Sequence, residues 1–214
     1  MKDLRGLYDA IVTGDAAAAR EISERALAAD LDPLALVDEQ MTPAMAEVGR
    51  RFEAGQYFVP ELLLSARAMK GALELVRPLL AARGAEPVGR VAIGTVEGDL
   101  HDIGKNLVSS MLEGGGFEVV DLGVNVKPER FVEAVAEKNV NVICLSALLT
   151  TTMLAMRRTV QALEDAGLRQ RVKVLVGGAP VTAKFAREIG ADGSGENAVE
   201  AVAAARSALG LASV

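Results

Sequence analysis

The chain has 214 residues, half of them hydrophobic and 24% charged, with a formal net charge of −6. This suits a globular fold with a sizeable core, and it argues against a nucleic-acid partner, which needs clustered Lys and Arg and usually aromatic stacking; Trp is absent here. No basic-then-apolar leader opens the sequence and no apolar run reaches membrane-spanning length, so a cytoplasmic protein without a membrane partner is expected.

Residues before about 85 are rich in Ala, Leu, Glu and Arg at helical spacing. A short helix is expected around residues 2–12. "GDAAAAREISERALAAD" follows, with Asp15 placed as a cap and Ala19, Ile22 and Ala26 forming a stripe. "DPLALVDEQMTPAMAEVGRRF" starts with Asp32 as N-cap and Pro33 at the first helical position, and Pro43 is expected to kink it. "VPELLLSARAMKGALELVRPLLAARG" begins again with Pro60. Four helices make a small bundle over residues 1–85. "RGAEPVG", residues 83–89, reads as a linker.

Beyond it, from residue 88 to 214, the period changes. Strands are expected at 90–95, 117–122, 141–146 and 172–177, with a short fifth near 190–193. Helices begin near 102, 128, 152, 181 and 196. This alternation predicts an α/β domain: a Rossmann-like, flavodoxin-like, five-stranded parallel sheet with helices on both faces. Ligands in such sheets bind beyond the carboxyl ends of the strands, where strand order reverses. "GDLHDIG", "SALLTTT" and "GGAPVT" all lie at such ends. Cys144, the one cysteine, sits in "NVICLSALL" as a buried strand residue.

His101 is the only histidine. Asp99, two residues earlier, can accept a proton from its ring and orient it. Gly104 leaves room for close approach of a large group. With no second histidine and no CxxC, a closed zinc site cannot be built. GxGxxG is absent after the first strand, as is the GxxxxGK[ST] spacing of a phosphate loop. A single protein nitrogen is sufficient when the metal arrives already held by a macrocycle.

Asp99-x-His101-x-x-Gly104, Ser146-x-Leu148 and Gly177-Gly178 together resemble the cobalamin-binding signature DxHxxG…SxL…GG. "TVEGDLHDIGKNLV" is similar to the form in methionine synthase and in small corrinoid methyl carriers. The resemblance implies a cobalamin or related corrinoid cofactor, cycling between methylcobalamin and cob(I)alamin, with His101 as the lower axial ligand to cobalt. It implies that Gly104, Gly177 and Gly178 leave space for the displaced nucleotide tail, that Ser146 bonds it and that Leu148 lines its slot. Asp102, Ile103 and Thr150, in the same two loops, belong to the implied cofactor-binding set. Thr152 stands where methionine synthase has a serine in a His-Asp-hydroxyl relay, and proton uptake on the His101–Asp99 pair is expected to track the cobalt state. Capping the next helix is the other role open to Thr152. Ser194, in the last loop, departs from an aromatic common among relatives.

"GRRFEAGQYFVPELLLSARAMKG", residues 49–71, resembles the helical cap of methylcobalamin proteins, with Phe52 and Val59 aligned to the residues that shield the methyl group. Val59 is smaller than the usual leucine. The chain is too short for the barrel of the adenosylcobalamin isomerases or for the folate and homocysteine modules of methionine synthase. The family implies a non-catalytic methyl carrier serving a substrate-specific methyltransferase and a second methyltransferase acting on tetrahydrofolate or a thiol. A reductive activator is a further implied partner, and hinge motion at 83–89 would expose the cofactor. The rival reading is a cobalamin-dependent sensor, which would add a basic DNA-binding domain.

Overall fold

A computed structural model describes residues 5–84 and 87–211. Residues 2–4 of the first expected helix, Ala85 and Glu86 of the expected linker, and residues 212–214 lie outside the described residues. The backbone forms two compact units, the first running to Pro87 and taking in Glu113–Gly116, the second made of Val88–Leu112 and the residues from Phe117 onward.

The first unit is helical. Helix α1 spans Arg5–Thr13, α2 Ala16–Ala28, α3 Pro33–Leu36, α4 Thr42–Glu53 and α5 Val59–Ala82. The Asp15 carboxylate accepts the Ala18 N–H at 2.9 Å and Asp32 accepts the Leu34 N–H at 3.2 Å, so both caps form. Leu62, Ala66, Met69, Leu73 and Val76 form a buried stripe along α5, and Leu7, Ile11, Ala19 and Val48 are buried in the same unit. This three-four spacing is what an antiparallel bundle requires of its inward face. Pro43 acts differently from a simple kink. Val37–Met41 forms a π turn between α3 and α4, in which the Thr42 N–H bonds the Val37 carbonyl five residues back. Proline has no N–H for residue 39 and its ring crowds that carbonyl, and the widened turn just ahead of it accommodates both.

The second unit is a five-stranded, all-parallel sheet: β1 Arg90–Thr95, β2 Glu118–Asp121, β3 Val142–Ser146, β4 Lys173–Gly177 and β5 Gly193–Gly195, in the order β2-β1-β3-β4-β5. The helices are α6 Ile103–Gly114, α7 Pro128–Glu137, α8 Met153–Asp165, α9 Ala183–Glu188 and α10 Ala198–Ala208. The expected fold class is borne out. The fifth strand starts later than expected: the Ala191 N–H still bonds back to Ala186, so the chain is closing α9 until then, and pairing resumes with the Asp192 N–H on Val174.

Strand alternation sorts the core. Val91, Ile93, Val142, Cys144 and Leu175 pack with Leu112, Phe117 and Ala205 on one face. Ala92, Ile143, Leu145, Val174 and Val176 pack with Phe131, Met156, Val160 and Leu163 on the other. Phe117 and Phe131 are fully buried on opposite faces, and truncating either to Ala would cost about 3–5 kcal/mol. Strand order reverses between β1 and β3. That switch places the loop after β1 beside the loop after β3, at the end of the sheet where α/β folds bind ligands. No described helix is long and apolar enough to cross a membrane.

Candidate functional site

The loop between β1 and α6 carries Asp99 and His101. Asp99 is 0% exposed, an expensive place for a carboxylate unless its oxygens are filled. They are. Oδ1 takes the His101 ring Nδ1 at 2.7 Å and the His101 N–H at 3.1 Å. Oδ2 takes the Leu148 N–H at 2.8 Å, the Leu149 N–H at 3.4 Å and the Thr152 hydroxyl at 2.7 Å. Burial pushes this carboxyl up. The bonds from Leu148, Thr152 and His101 outweigh that and hold it well below the usual carboxylate range. Asp99 is therefore an anion, and an anionic carboxylate only accepts. The proton on the Asp99–His101 bond therefore lies on Nδ1, and Nε2 is the ring nitrogen left outside this bond.

Nothing among the described residues bonds Nε2, and the His101 side chain is 52% exposed. Among the described residues no three His, Cys, Asp or Glu side chains cluster as a metal-ligand set. The same two loops carry uncovered apolar side chains: Leu100 is 72% and Ile103 85% exposed, and Leu148 and Leu149 are half-exposed. An apolar rim around one outward nitrogen fits a large, flat, largely apolar group that brings its own equatorial ligands.

The other expected residues fall as follows. Gly104 is the second residue of α6, and a Cβ there would meet nothing within 4 Å. Asp102 is exposed and accepts the Asn106 amide at 3.1 Å. Ser146 ends β3, paired with Thr95 of β1 and Gly177 of β4, so the SxL and GG stretches lie side by side. Gly178 has φ +127° and a Cβ would stand 1.9 Å from the Ala147 carbonyl oxygen; only glycine lets the β4 loop approach the β3 loop this closely. Thr150 is exposed in the loop after β3. Thr152 occupies the N-cap position of α8 but makes no side-chain cap bond. Its hydroxyl lies 2.7 Å from Asp99 and 2.8 Å from the Leu149 carbonyl.

Phe52 and Val59 belong to the helical unit, at the end of α4 and the start of α5. Phe52 is half-buried and Val59 is 43% exposed. The turn between them is held by polar contacts. The Arg51 guanidinium donates to Glu47 at 2.7 Å and to the Tyr57 hydroxyl at 2.9 Å, and that hydroxyl donates to the Val12 carbonyl at 2.9 Å.

Sequence reasoning missed one buried charge and one loop residue. Lys105 is only 3% exposed, and its ammonium meets Asp121 at 2.5 Å, tying the first turn of α6 to the end of β2. Asn125, in the β2–α7 loop, bonds the histidine loop at two atoms. Only its position in "DLGVNV", an asparagine between valines just after a strand, hinted at a special backbone.

A model described as the B12 binding domain matches residues 89–203, and a second B12 binding domain model matches residues 3–77. The sequence is 45% identical over 203 residues to trimethylamine corrinoid protein 1 of Methanosarcina acetivorans, covering 94% of each chain. Its backbone is similar to that of a cobalamin-binding protein from Desulfitobacterium hafniense DCB-2, with 34% identity, a TM-score of 0.80 and coverage of 97% of this chain and 99% of that one. It is also similar to a chain of the methanol:cobalamin methyltransferase complex MtaBC from Methanosarcina barkeri, with 31% identity, a TM-score of 0.84 and coverage of 100% of this chain and 83% of the other.

Proposed function

We propose, for a chain that belongs to the B12-binding corrinoid proteins of methyltransferase systems, that it carries a methyl group from a substrate-specific methyltransferase to a second methyltransferase acting on tetrahydrofolate or a thiol. The cofactor is a corrinoid, whose cobalt, when bound, supplies a centre that accepts and hands on a methyl group. A relative named for trimethylamine supports a methylated amine as the donor. A reductive activator is the third partner in this reading.

One observation carries it: the buried Asp99 anion commits Nδ1 of the sole histidine, leaving Nε2 as a single outward ligand within an apolar rim. His101 would hold the metal. Asp99 sets the ring's tautomer and direction, and Thr152 and the Leu148 N–H keep Asp99 charged. Leu100, Ile103, Leu148 and Leu149 exclude water around the ligand. Gly104 leaves a side-chain-free surface for the nucleotide tail, Gly177 and Gly178 let the β4 loop close against its neighbours beside Ser146, and Asp102 and Thr150 lie at the polar edge. Phe52 and Val59 of the helical unit shield the methyl group from solvent.

Refolding with hydroxocobalamin tests this reading. The expected result is a coloured one-to-one complex with a nitrogen-ligated spectrum, which His101→Ala converts to the water-ligated form. No complex, or an unchanged spectrum in the variant, would overturn it.

A further inference from the structure

The bonds to Asp99 Oδ2 anchor the carboxylate side chain to the β3–α8 loop. The backbone that carries Asp99 and His101 needs anchors of its own. Three contacts supply them. The Thr95 hydroxyl, wholly buried at the end of β1, donates to the His101 carbonyl at 2.7 Å. The Asn125 side-chain oxygen accepts the Gly98 N–H at 2.8 Å. The Asn125 N–H donates to the Asp99 carbonyl at 2.9 Å.

Asn125 makes both bonds with φ +53°, a conformation asparagine adopts more readily than most L residues. Its neighbours are pinned in turn. The Gly123 carbonyl accepts the Thr95 N–H at 3.0 Å, the Val126 N–H donates to the Thr95 carbonyl at 2.9 Å, and Val96 and Val126 form a parallel bridge. The β2–α7 loop is thus stitched to the end of β1 on both sides of Asn125.

We infer that Thr95 and Asn125 are positioning residues for the His101 ligand: from the sheet and from the β2–α7 loop they fix the backbone of Asp99 and His101, so that Nε2 is presented at one place. The inference rests on the reading of His101 as the axial ligand. Each side chain bonds the backbone of the turn and not the ring. Without them the turn is free to sample conformations in which the ring no longer points along one line, and His101 loses affinity for cobalt by about tenfold, as loss of an orienting partner typically costs.

The sole histidine makes this measurable, because heavy-nitrogen histidine labels one ring in the whole chain. Labelled protein is loaded with hydroxocobalamin, reduced to cobalt(II), and examined by electron paramagnetic resonance while unlabelled imidazole is added. Native protein shows the heavy-nitrogen splitting and His101→Ala lacks it. Asn125→Gly, which tolerates the backbone conformation but lacks the acceptor, and Thr95→Val are each expected to let imidazole replace the labelled signal at about tenfold lower concentration. Thr95→Ser restores the native value. Unshifted imidazole midpoints in both variants, with only a lowered Tm, mean a purely structural role and overturn the inference. Should Asn125→Gly not fold, the Thr95 pair decides alone. Absence of the splitting in native protein instead overturns the reading of His101 as the ligand, a distinguishable failure.

Discussion

Two turns of this protein are proposed to meet the cofactor, and they are held in opposite ways. The turn after β1 is fixed at its centre: five hydrogen bonds converge on one buried carboxylate, and the ligand nitrogen is what is left over. The turn between α4 and α5 is fixed at its flanks. Arg51 and Tyr57 hold one side, and Glu61 accepts the Phe58 N–H at 2.8 Å on the other, while the apolar side chains of Phe52 and Val59 have no polar atom to be aimed by. A ligand atom must be aimed, so its turn is built from directional bonds. A shield need only be apolar and of adequate size, so its turn is built to hold the chain and leave the side chains adaptable.

Glycine substitution in the two loop regions breaks this contrast most sharply. Gly178→Ala combines a positive φ with a 1.9 Å clash against backbone, and is expected to cost about 3 kcal/mol in urea unfolding. Gly55, in the α4–α5 turn, also has positive φ (+68°), but a Cβ there meets nothing within 4 Å. Gly55→Ala is expected to cost only about 1 kcal/mol, the backbone term alone. Equal costs would mean that the sheet-side loops are not the more rigidly built.

Asp99→Asn comes next. The amide cannot accept at both ends, so a buried donor is left without a partner, at about 1–3 kcal/mol. Hydroxocobalamin affinity falls about 10–100-fold. A depressed carboxyl stands in the first turn and another on the helix that leads into the second. Hydrogen bonds from Arg50 and then Arg51 lower Glu47 to about 2, while Asp99 is held low against its own burial. A carboxyl lowered by folding stabilises the native state above its unfolded value and loses that contribution as pH falls through the folded one. Acid unfolding should therefore shift most in Asp99→Asn, whose stability loses this part of its dependence on acid. Glu47→Gln should flatten the curve less, because its partners face solvent. A larger flattening from Glu47→Gln would invert the comparison.

Phe52→Ala is the smallest perturbation to the fold, changing stability by about 1 kcal/mol or less because the ring is only half-buried. Its expected effect is faster photolysis of the methylcobalamin-loaded protein. An unchanged photolysis rate would remove Phe52 from the surroundings of the methyl group.

What could be read from sequence follows the same division. The histidine turn was legible because its chemistry demands particular residue types at fixed spacing: a carboxylate two residues before an imidazole, glycines where backbones meet. The strands were legible because burial on both faces leaves near-continuous β-branched runs. Asn125 was not, since a strap made of one amide oxygen and one backbone N–H leaves almost no pattern. Lys105 was not, because a lysine on an amphipathic helix reads as solvated until its partner, Asp121, is brought across from another strand. The start of β5 was misplaced because the capping of α9 is decided by backbone bonds, which the sequence shows only weakly.

The π turn at Val37–Met41 has a consequence of its own. It makes α3 and α4 one helix carrying a surplus residue. Each residue advances an α-helix by about 100°, so removing one here would return the helix to ordinary register and swing Leu36, now buried, away from the face it occupies relative to Met45 and Val48. The segment thus behaves as a length counter: the bundle is adjusted to a chain of this number of residues, and a single deletion within the turn is expected to be tolerated less well than one in the exposed turn Ala54–Gln56.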